Sequence, residues 1–522
     1  MGGNYMKKRL FMAAAVIAAV TVPLTFTGCE KKTANGEQST LTYWTPLQSN
    51  ASMIVSNFGE TALAQELEKR TGVKVEYQHP PQGQETEKFN ILIASDDFPD
   101  IIEYNWLKYP GGPQKAINDG IIVDLNDYES KIKNLSSYLD ANEEVRKLAV
   151  TDSGALFSFP FIRGDESLLT SAGIVIRQDW LDELGLDMPE TIAEWEHVLT
   201  EFKNKKSASA PLTLTVSDFS NGLFVGAYDT TVGYYLDDGK VKYGMLEPGF
   251  KDFLTLMNRW YQDGLFDNNF GTLDSTTRDS NILNDISGAT YGSIGRGIGK
   301  WMEVATDKSG YQLEGAPMPV LNKGDTPEFG HYQLPIFSSN TAFVAVTRDS
   351  NNVALAMEYL DYGYSEEGCM LYNFGIEGES YEMIDGYPTY TDIITNNPDG
   401  LSMTVAMSNY TCSYDAGPFI QDKRYMEQYG SMPEQKRAWG TWTATNAKEH
   451  ALPHLYVQED ELNELANLSN SIDTYASEMI LKFIIGTEPL DNYDNAVAQL
   501  KTRGIDRVLE MKQAAYERYL TK

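Results

Sequence analysis

The sequence predicts an α/β fold, and three observations carry the prediction. Strand-like and helix-like patterns alternate through the first part of the chain, as they do where strands are laid side by side with helices between them. Hydrophobic residues make up 42% of the 522 residues and aromatic residues 11%, enough to build a large core. The length asks for two or more lobes.

The elements follow in order. Leu41-Thr42-Tyr43-Trp44 is a strand closed by Thr45-Pro46, and a helix is expected over Glu60 to Arg70. Leu63 and Leu67, with Ala62 and Ala64 beside them, mark its apolar face, and Gly72 is its stop. Val73 to Tyr77 alternates as a strand, Glu85 to Ala94 is helical, Asp96 to Asp100 turns, and Ile101 to Tyr104 is a strand again. In such a fold the ligand-facing loops lie at the carboxyl ends of strands. Asp152-Ser153-Gly154 divides Lys147 to Val150 from Ala155 to Pro160, and Asp237-Asp238-Gly239 divides Val232 to Leu236 from Lys240 to Tyr243; both predict hairpins, and the Asp238-Gly239 step supplies the positive φ angles of a tight turn. Asp-Asp-Gly lacks the other oxygen ligands of a calcium loop. Between the hairpins, Thr191 and Glu194 form a capping box that opens a helix toward Lys203.

The amino-terminal stretch decides where the rest works. Lys7-Lys8-Arg9 leads into an apolar run from Leu10 to Val22, which stops at Pro23 and reaches Thr27 and Gly28 just before Cys29. The run is too short for a comfortable bilayer span and matches an export signal over residues 1–29. Thr27-Gly28-Cys29, followed by a polar tether over residues 30–40, resembles the lipobox of bacterial lipoproteins, which implies lipidation at Cys29. Phe26 departs from the pattern, which usually has Leu there. Several acyl chains on one cysteine anchor firmly, at about 0.8 kcal/mol per buried methylene.

Charge excludes some partners. Loss of residues 1–29 removes three basic residues and no acidic one, so the net charge moves from −32 to −35. Such a surface repels polyanions, which argues against nucleic acid and leaves room for one local basic pocket. Cys369 and Cys412 are the only other cysteines, and a bridge or two buried thiols are both open to an exported chain.

Ile174 to Leu186 (Ile-Val-Ile-Arg-Gln-Asp-Trp-Leu-Asp-Glu-Leu-Gly-Leu) with Pro189-Glu190-Thr191 resembles the family 1 extracellular solute-binding proteins of ABC transporters, especially the large lipoprotein branch of Gram-positive bacteria. Ala94 to Ile102, Asn373 to Tyr381 and Ala514 to Leu520 agree in order, so the resemblance covers nearly all of the chain after the leader. The family implies a two-lobed clamshell of the type II periplasmic-binding-protein kind, each lobe a mixed sheet flanked by helices. Mapped here, lobe 1 is expected over 41–162 and 338–376, and lobe 2 over 163–337 and 377–522. Chain crossings are then expected near Phe159 to Gly164, Gln333 to Asn340 and Phe374 to Tyr381, with long closing helices over Glu459 to Ile484 and Asn492 to Leu520. The resemblance also implies capture of a small solute by hinge closure, delivery to a membrane permease, a lipid-anchored place on the outer face of the cytoplasmic membrane, and a monomer. Many relatives carry a calcium loop after the helix that Thr191 opens; Lys203 to Pro211 offers amines there instead, and no calcium is expected.

A saccharide cleft needs flat aromatic walls and a few planar hydrogen-bonding groups. Of eight tryptophans, Trp106, Trp301, Trp439 and Trp44 are candidates; Trp106 follows the strand ending at Tyr104, itself a candidate, and Trp301 follows the glycine-rich stretch Gly292 to Lys300. Each has packing in the core as its alternative. Trp180, Trp195 and Trp260 sit in amphipathic helices and read as core. Arg163, Glu377 and Tyr381 stand at the expected crossings, in reach of ligand hydroxyls, with a hinge salt bridge as the alternative for Arg163.

Other chemistries fare worse. The glycine-rich stretch fails as a phosphate loop, because Trp301 follows Lys300 and Ile294 stands where glycine is required. His450 and His454 flank Pro453, which breaks the helix a zinc pair needs. No Gly-x-Ser-x-Gly or His-Glu-x-x-His occurs, although 74 acidic residues leave a glycosidase-like carboxylate pair conceivable. The expectation is a binding protein without enzyme activity or cofactor, for an oligosaccharide, with peptide or another small solute as the alternative.

Overall fold

Two mixed sheets arise where the sequence alternates strand and helix. The computed structural model describes residues 40–336, 342–412 and 416–522; the leader, Cys29 and the tether up to residue 39 lie outside them. Thr40–Trp44 lies between Lys74–Gln78 and Ile101–Tyr104, parallel to both. Phe343–Val346 and then Phe159–Pro160 add antiparallel to complete five strands. Thr61 caps the helix Ala62–Thr71 by accepting the Ala64 N–H, and Gly72 ends it at φ 71°, a left-handed stop that glycine takes without steric cost.

The second sheet orders Leu313–Ala316, Ala172–Arg177, Ala289–Ser293 and Leu212–Thr213, the first two pairings antiparallel and the third parallel. All of Ala172–Arg177 is buried, because Ile174 and Ile176 face one cluster and Val175 another. The capping box of Thr191 and Glu194 opens the helix Ile192–Lys205, whose Trp195, Val198, Leu199 and Phe202 turn inward. Asp238 and Gly239, at φ 47° and 74°, make the tight turn between Tyr234–Asp237 and Lys240–Tyr243.

Each sheet has its own core. The first gathers Leu41, Ile101, Trp106, Phe159, Val344 and Leu360; the second gathers Ile174, Trp195, Leu212, Phe253, Trp260 and Phe483. The chain leaves the first core after Ile162 and re-enters it at Ile336. Its third crossing comes later than the expected Phe374 to Tyr381. The Cys412 N–H donates to the Tyr372 carbonyl at 2.9 Å, and the Ala62 N–H donates to Asn409 Oδ1 at 3.1 Å. Phe419 belongs to the first core, and Ile420–Gln421 pairs with Ile162–Arg163. Asn409, Cys412 and Phe419 to Gln421 thus contact elements of the first sheet and its core, although they fall in the span that the resemblance assigns to lobe 2. The cause is apolar: Phe374, Tyr381, Tyr390 and Met407 form a satellite cluster that packs on Ala62.

Three smaller differences have local reasons. The expected hairpin at Asp152 reduces to a single bridge between Val150 and Leu156, because Lys147 to Ala149 complete the helix Glu143–Ala149 and bury Leu148. The last expected helix is two, Tyr493–Thr502 and Ile505–Leu520, split at Gly504 with φ 91°. Cys369 and Cys412 are separate thiols, and burial pushes the Cys369 pKa up to about 11. No helix among the described residues is long and apolar enough to cross a membrane.

Candidate functional site

A cavity of about 710 Å³ opens between the two sheets, within the roughly 300–1,000 Å³ of small-molecule sites. The first sheet contributes Gln48 to Ala51, after the strand ending at Trp44, and Glu103 to Asn105, at the end of the strand Ile101–Tyr104. The second contributes Ser293 to Arg296, at the end of Ala289–Ser293. Both sets lie where strand carboxyl ends give way to loops, as the α/β reading anticipated.

Tyr104 is the aromatic wall on the first side. Its hydroxyl donates to Thr86 Oγ1 at 2.7 Å, its ring stacks on Phe89 with centroids 4.2 Å apart, and Trp44 meets it edge-on. Beside it, Glu103 is a buried carboxyl at the cavity wall, 3% exposed. Its Oε2 accepts the Tyr43 hydroxyl at 2.9 Å and the Thr45 hydroxyl at 3.0 Å. Burial pushes its pKa up, against the pull of those hydroxyls and of the Gly417 N–H.

Tyr429 is the aromatic wall on the opposite side, stacked on Tyr425 with nearly parallel rings. Gly295 makes room for it, since a Cβ there would overlap the Tyr429 hydroxyl and ring. The residues Ile294–Gly299 form one π-helical turn whose Gln435 partner donates from Nε2 to the Ile294 carbonyl at 2.8 Å.

Of the eight residues singled out in the sequence, Tyr104 lines this cavity. Trp106 is wholly buried against Phe89 and Tyr109, and Trp44 is buried behind Tyr104. Trp301 is 1% exposed and donates from Nε1 to Asp279 Oδ1 at 2.8 Å. Gly292 admits that indole, because a Cβ would stand 2.7 Å from its ring; the glycines make space for packing and do not turn the tryptophan toward the cleft. Trp439 is half-buried and donates to the Ser167 carbonyl at 2.6 Å. Arg163 is buried, donates to the Leu334 carbonyl at 3.1 Å and borders a second cavity of about 650 Å³. Tyr381 is buried in the satellite cluster, and Glu377 is exposed beside it.

The positions missed are Gln48 to Ala51, Glu103, Arg296 and Tyr429. Strand ends were the signal for the first three, and a preference for tryptophan obscured it. Tyr429 had no local signal, because its place depends on Gly295 across the fold. At the loop expected to lack calcium, the Lys203 amine donates to the Asp263 carbonyl and Lys206 pairs with Glu183. No group of three metal-ligating side chains is placed to hold an ion among the described residues.

Comparison with known proteins decides the family. The model of the bacterial extracellular solute-binding proteins matches residues 56–368, more than half of the chain. The chain belongs to that family. It is 24% identical over 506 residues to the lipoprotein LipO of Bacillus subtilis, covering 93% of each chain. It is 22% identical over 570 residues to the fructooligosaccharide ABC transporter substrate-binding protein FusA of Streptococcus pneumoniae, covering 98% of this chain and 99% of the relative. The solved structure of FusA with kestose superposes with a TM-score of 0.72 at 20% identity, over 92% of this chain and all of that one. At these identities the likeness shows a shared fold, the two-lobed clamshell.

Proposed function

We propose that this solute-binding protein captures an oligosaccharide in the cleft between its two lobes and presents it, by hinge closure, to the permease of an ABC importer. The observation that carries the reading is the cavity of about 710 Å³ walled by Tyr104 on one side and Tyr429 on the other, with Gln48, Asn50, Asn105 and Ser293 between them. Rings suit the apolar faces of sugars, and amides and hydroxyls suit their rims. The name of the fructooligosaccharide-binding relative supports the same solute class.

The lobes divide by their cores, with residues 41–162 and 336–421 in one and 163–335 and 422–522 in the other. The short crossings near Ile162, Ile336 and Gln421 are the hinge. Lipidation at Cys29 keeps this monomer on the outer face of the cytoplasmic membrane, where tethering raises its effective concentration at the transporter.

Calorimetry and thermal shift across oligosaccharides, monosaccharides and peptides test the reading. Oligosaccharide binding that raises the melting temperature, with the sugar recovered unchanged, is the expected result. Binding of peptides alone, or cleavage of the sugar, would overturn it. Cys29→Ser should release the protein from membranes.

A further inference from the structure

The cleft contains an arginine that the rest of the molecule does not use. The chain has 74 acidic against 42 basic residues, and its other described arginines find acceptors. Arg177 pairs with Asp179 and Asp285, Arg278 with Asp218, Arg437 with Glu314, and Arg518 with Asp152. Even the buried Arg163 donates to a carbonyl. Arg296 is different: among the described arginines it alone has neither a hydrogen-bond acceptor nor an ion-pair partner, and it is exposed on the cavity wall.

Its setting is fixed. Arg296 stands between Gly295, packed under the Tyr429 ring, and Gly297, whose Cβ position lies 3.0 Å from the Gly292 backbone. A turn so closely packed presents the guanidinium from the second lobe as a standing feature. From the first lobe, Lys108 borders the same cavity, its ammonium 6.0 Å from the Tyr104 ring centroid and, among the described residues, without a carboxylate partner. Neither acidic residue of the cavity, Glu85 or Glu103, forms an ion pair with Arg296 or Lys108. Glu85 accepts the Gly83 N–H at 2.8 Å, and Glu103 is buried behind the Tyr43 and Thr45 hydroxyls.

We infer that the solute is an acidic oligosaccharide, one whose sugar ring carries a carboxylate, and that Arg296 of one lobe and Lys108 of the other take that carboxylate. This rests on the proposed saccharide-binding role. A planar guanidinium matches a carboxylate in two parallel hydrogen bonds. Charges on facing lobes also make the anion a bridge, so the ligand favours the state in which both reach it.

The test uses matched pairs: trimers of galacturonate, mannuronate and glucuronate, each beside the same trimer with its carboxyls reduced to alcohols. Binding to the chain without its leader is measured by calorimetry at low and high salt. At least one uronate trimer should bind about tenfold or more tighter than its reduced partner, the strength of a charge-assisted pair, and salt should shrink the difference. Arg296→Gln should collapse the difference within the pair while leaving the melting temperature of the unliganded protein in place, since Arg296 holds nothing else. Lys108→Gln should reduce the difference in part. Reduced trimers binding as tightly as uronates, or Arg296→Gln still discriminating, would overturn the inference and leave saccharide binding standing. If no saccharide bound at all, charged or neutral, both readings would fall.

Discussion

Trp301 and Tyr104 show how two aromatic residues that the sequence singles out reach different ends. Trp301 follows a glycine-rich stretch and Tyr104 ends a strand, but the first is sealed in a cluster with Val175, Ile298 and Trp442 while the second faces the cleft. Trp301→Ala should therefore cost about 3–5 kcal/mol of stability by leaving a cavity, read as a lower denaturant midpoint. Tyr104→Ala should lose its packing on Phe89 and, in addition, weaken saccharide binding by about tenfold. Equal affinity in the Tyr104 variant would remove that ring from the site. The contrast also marks what was legible. Position relative to a strand end was readable at Glu103, Tyr104 and Asn105, because the backbone geometry of an α/β lobe dictates where loops open. Which aromatic faces out was not readable, since Trp44 and Trp106 form the packed backing of Tyr104 through Phe89.

At the scale of elements, the turn Ile294–Gly299 joins core to cleft. Gly295→Ala forces its new methyl into Tyr429, so it should cost about 1–3 kcal/mol by overpacking and also weaken the ligand through displacement of that ring. Gly440→Ala is the control. Gly440 lies within the helix Pro433–Trp442 and a Cβ there meets nothing within 4 Å, so alanine should stabilise by about 0.5–1 kcal/mol. A Gly295→Ala protein as stable and as tight-binding as the parent would sink this account of the turn. Local signals of this kind were reliable where a short segment carries its own instructions. The Thr191 capping box, the Gly72 stop and the Asp238-Gly239 turn all formed as the residues dictate. The failures were long-range. The expected assignment of residues after 377 to lobe 2 had no way to foresee that Asn409 meets Ala62 and Cys412 meets Tyr372.

Across the whole molecule, two histidines shielded from water, His331 and His454, set an acid limit. His331 lies ahead of the return to the first core, where the Ser171 N–H donates to its Nδ1 at 3.3 Å. Burial, with Arg163 nearby, holds its pKa down to about 4. His454 rests edge-on against Tyr456, next to the contact in which Arg518 and Lys522 reach Asp152 on the turn before Leu156. Burial, then Lys512 and Lys522, lower its pKa to about 4 against the opposing pull of Asp152. The ordinary value is 6.5 for both. Between pH 6.5 and 4 the unfolded chain takes up protons that the folded one refuses, so stability falls as pH falls through that window and the neutral-pH stability is complete above it. The difference amounts to about 3 kcal/mol for each histidine. Carboxylates held low, such as Asp100, act below this range. Urea midpoints measured at pH 7.5, 5.5 and 4.5 should drop steadily in the parent, and the double variant His331→Asn with His454→Phe should show a much flatter profile whatever its absolute stability. An unchanged slope in the double variant would mean that other groups govern the acid response of the protein.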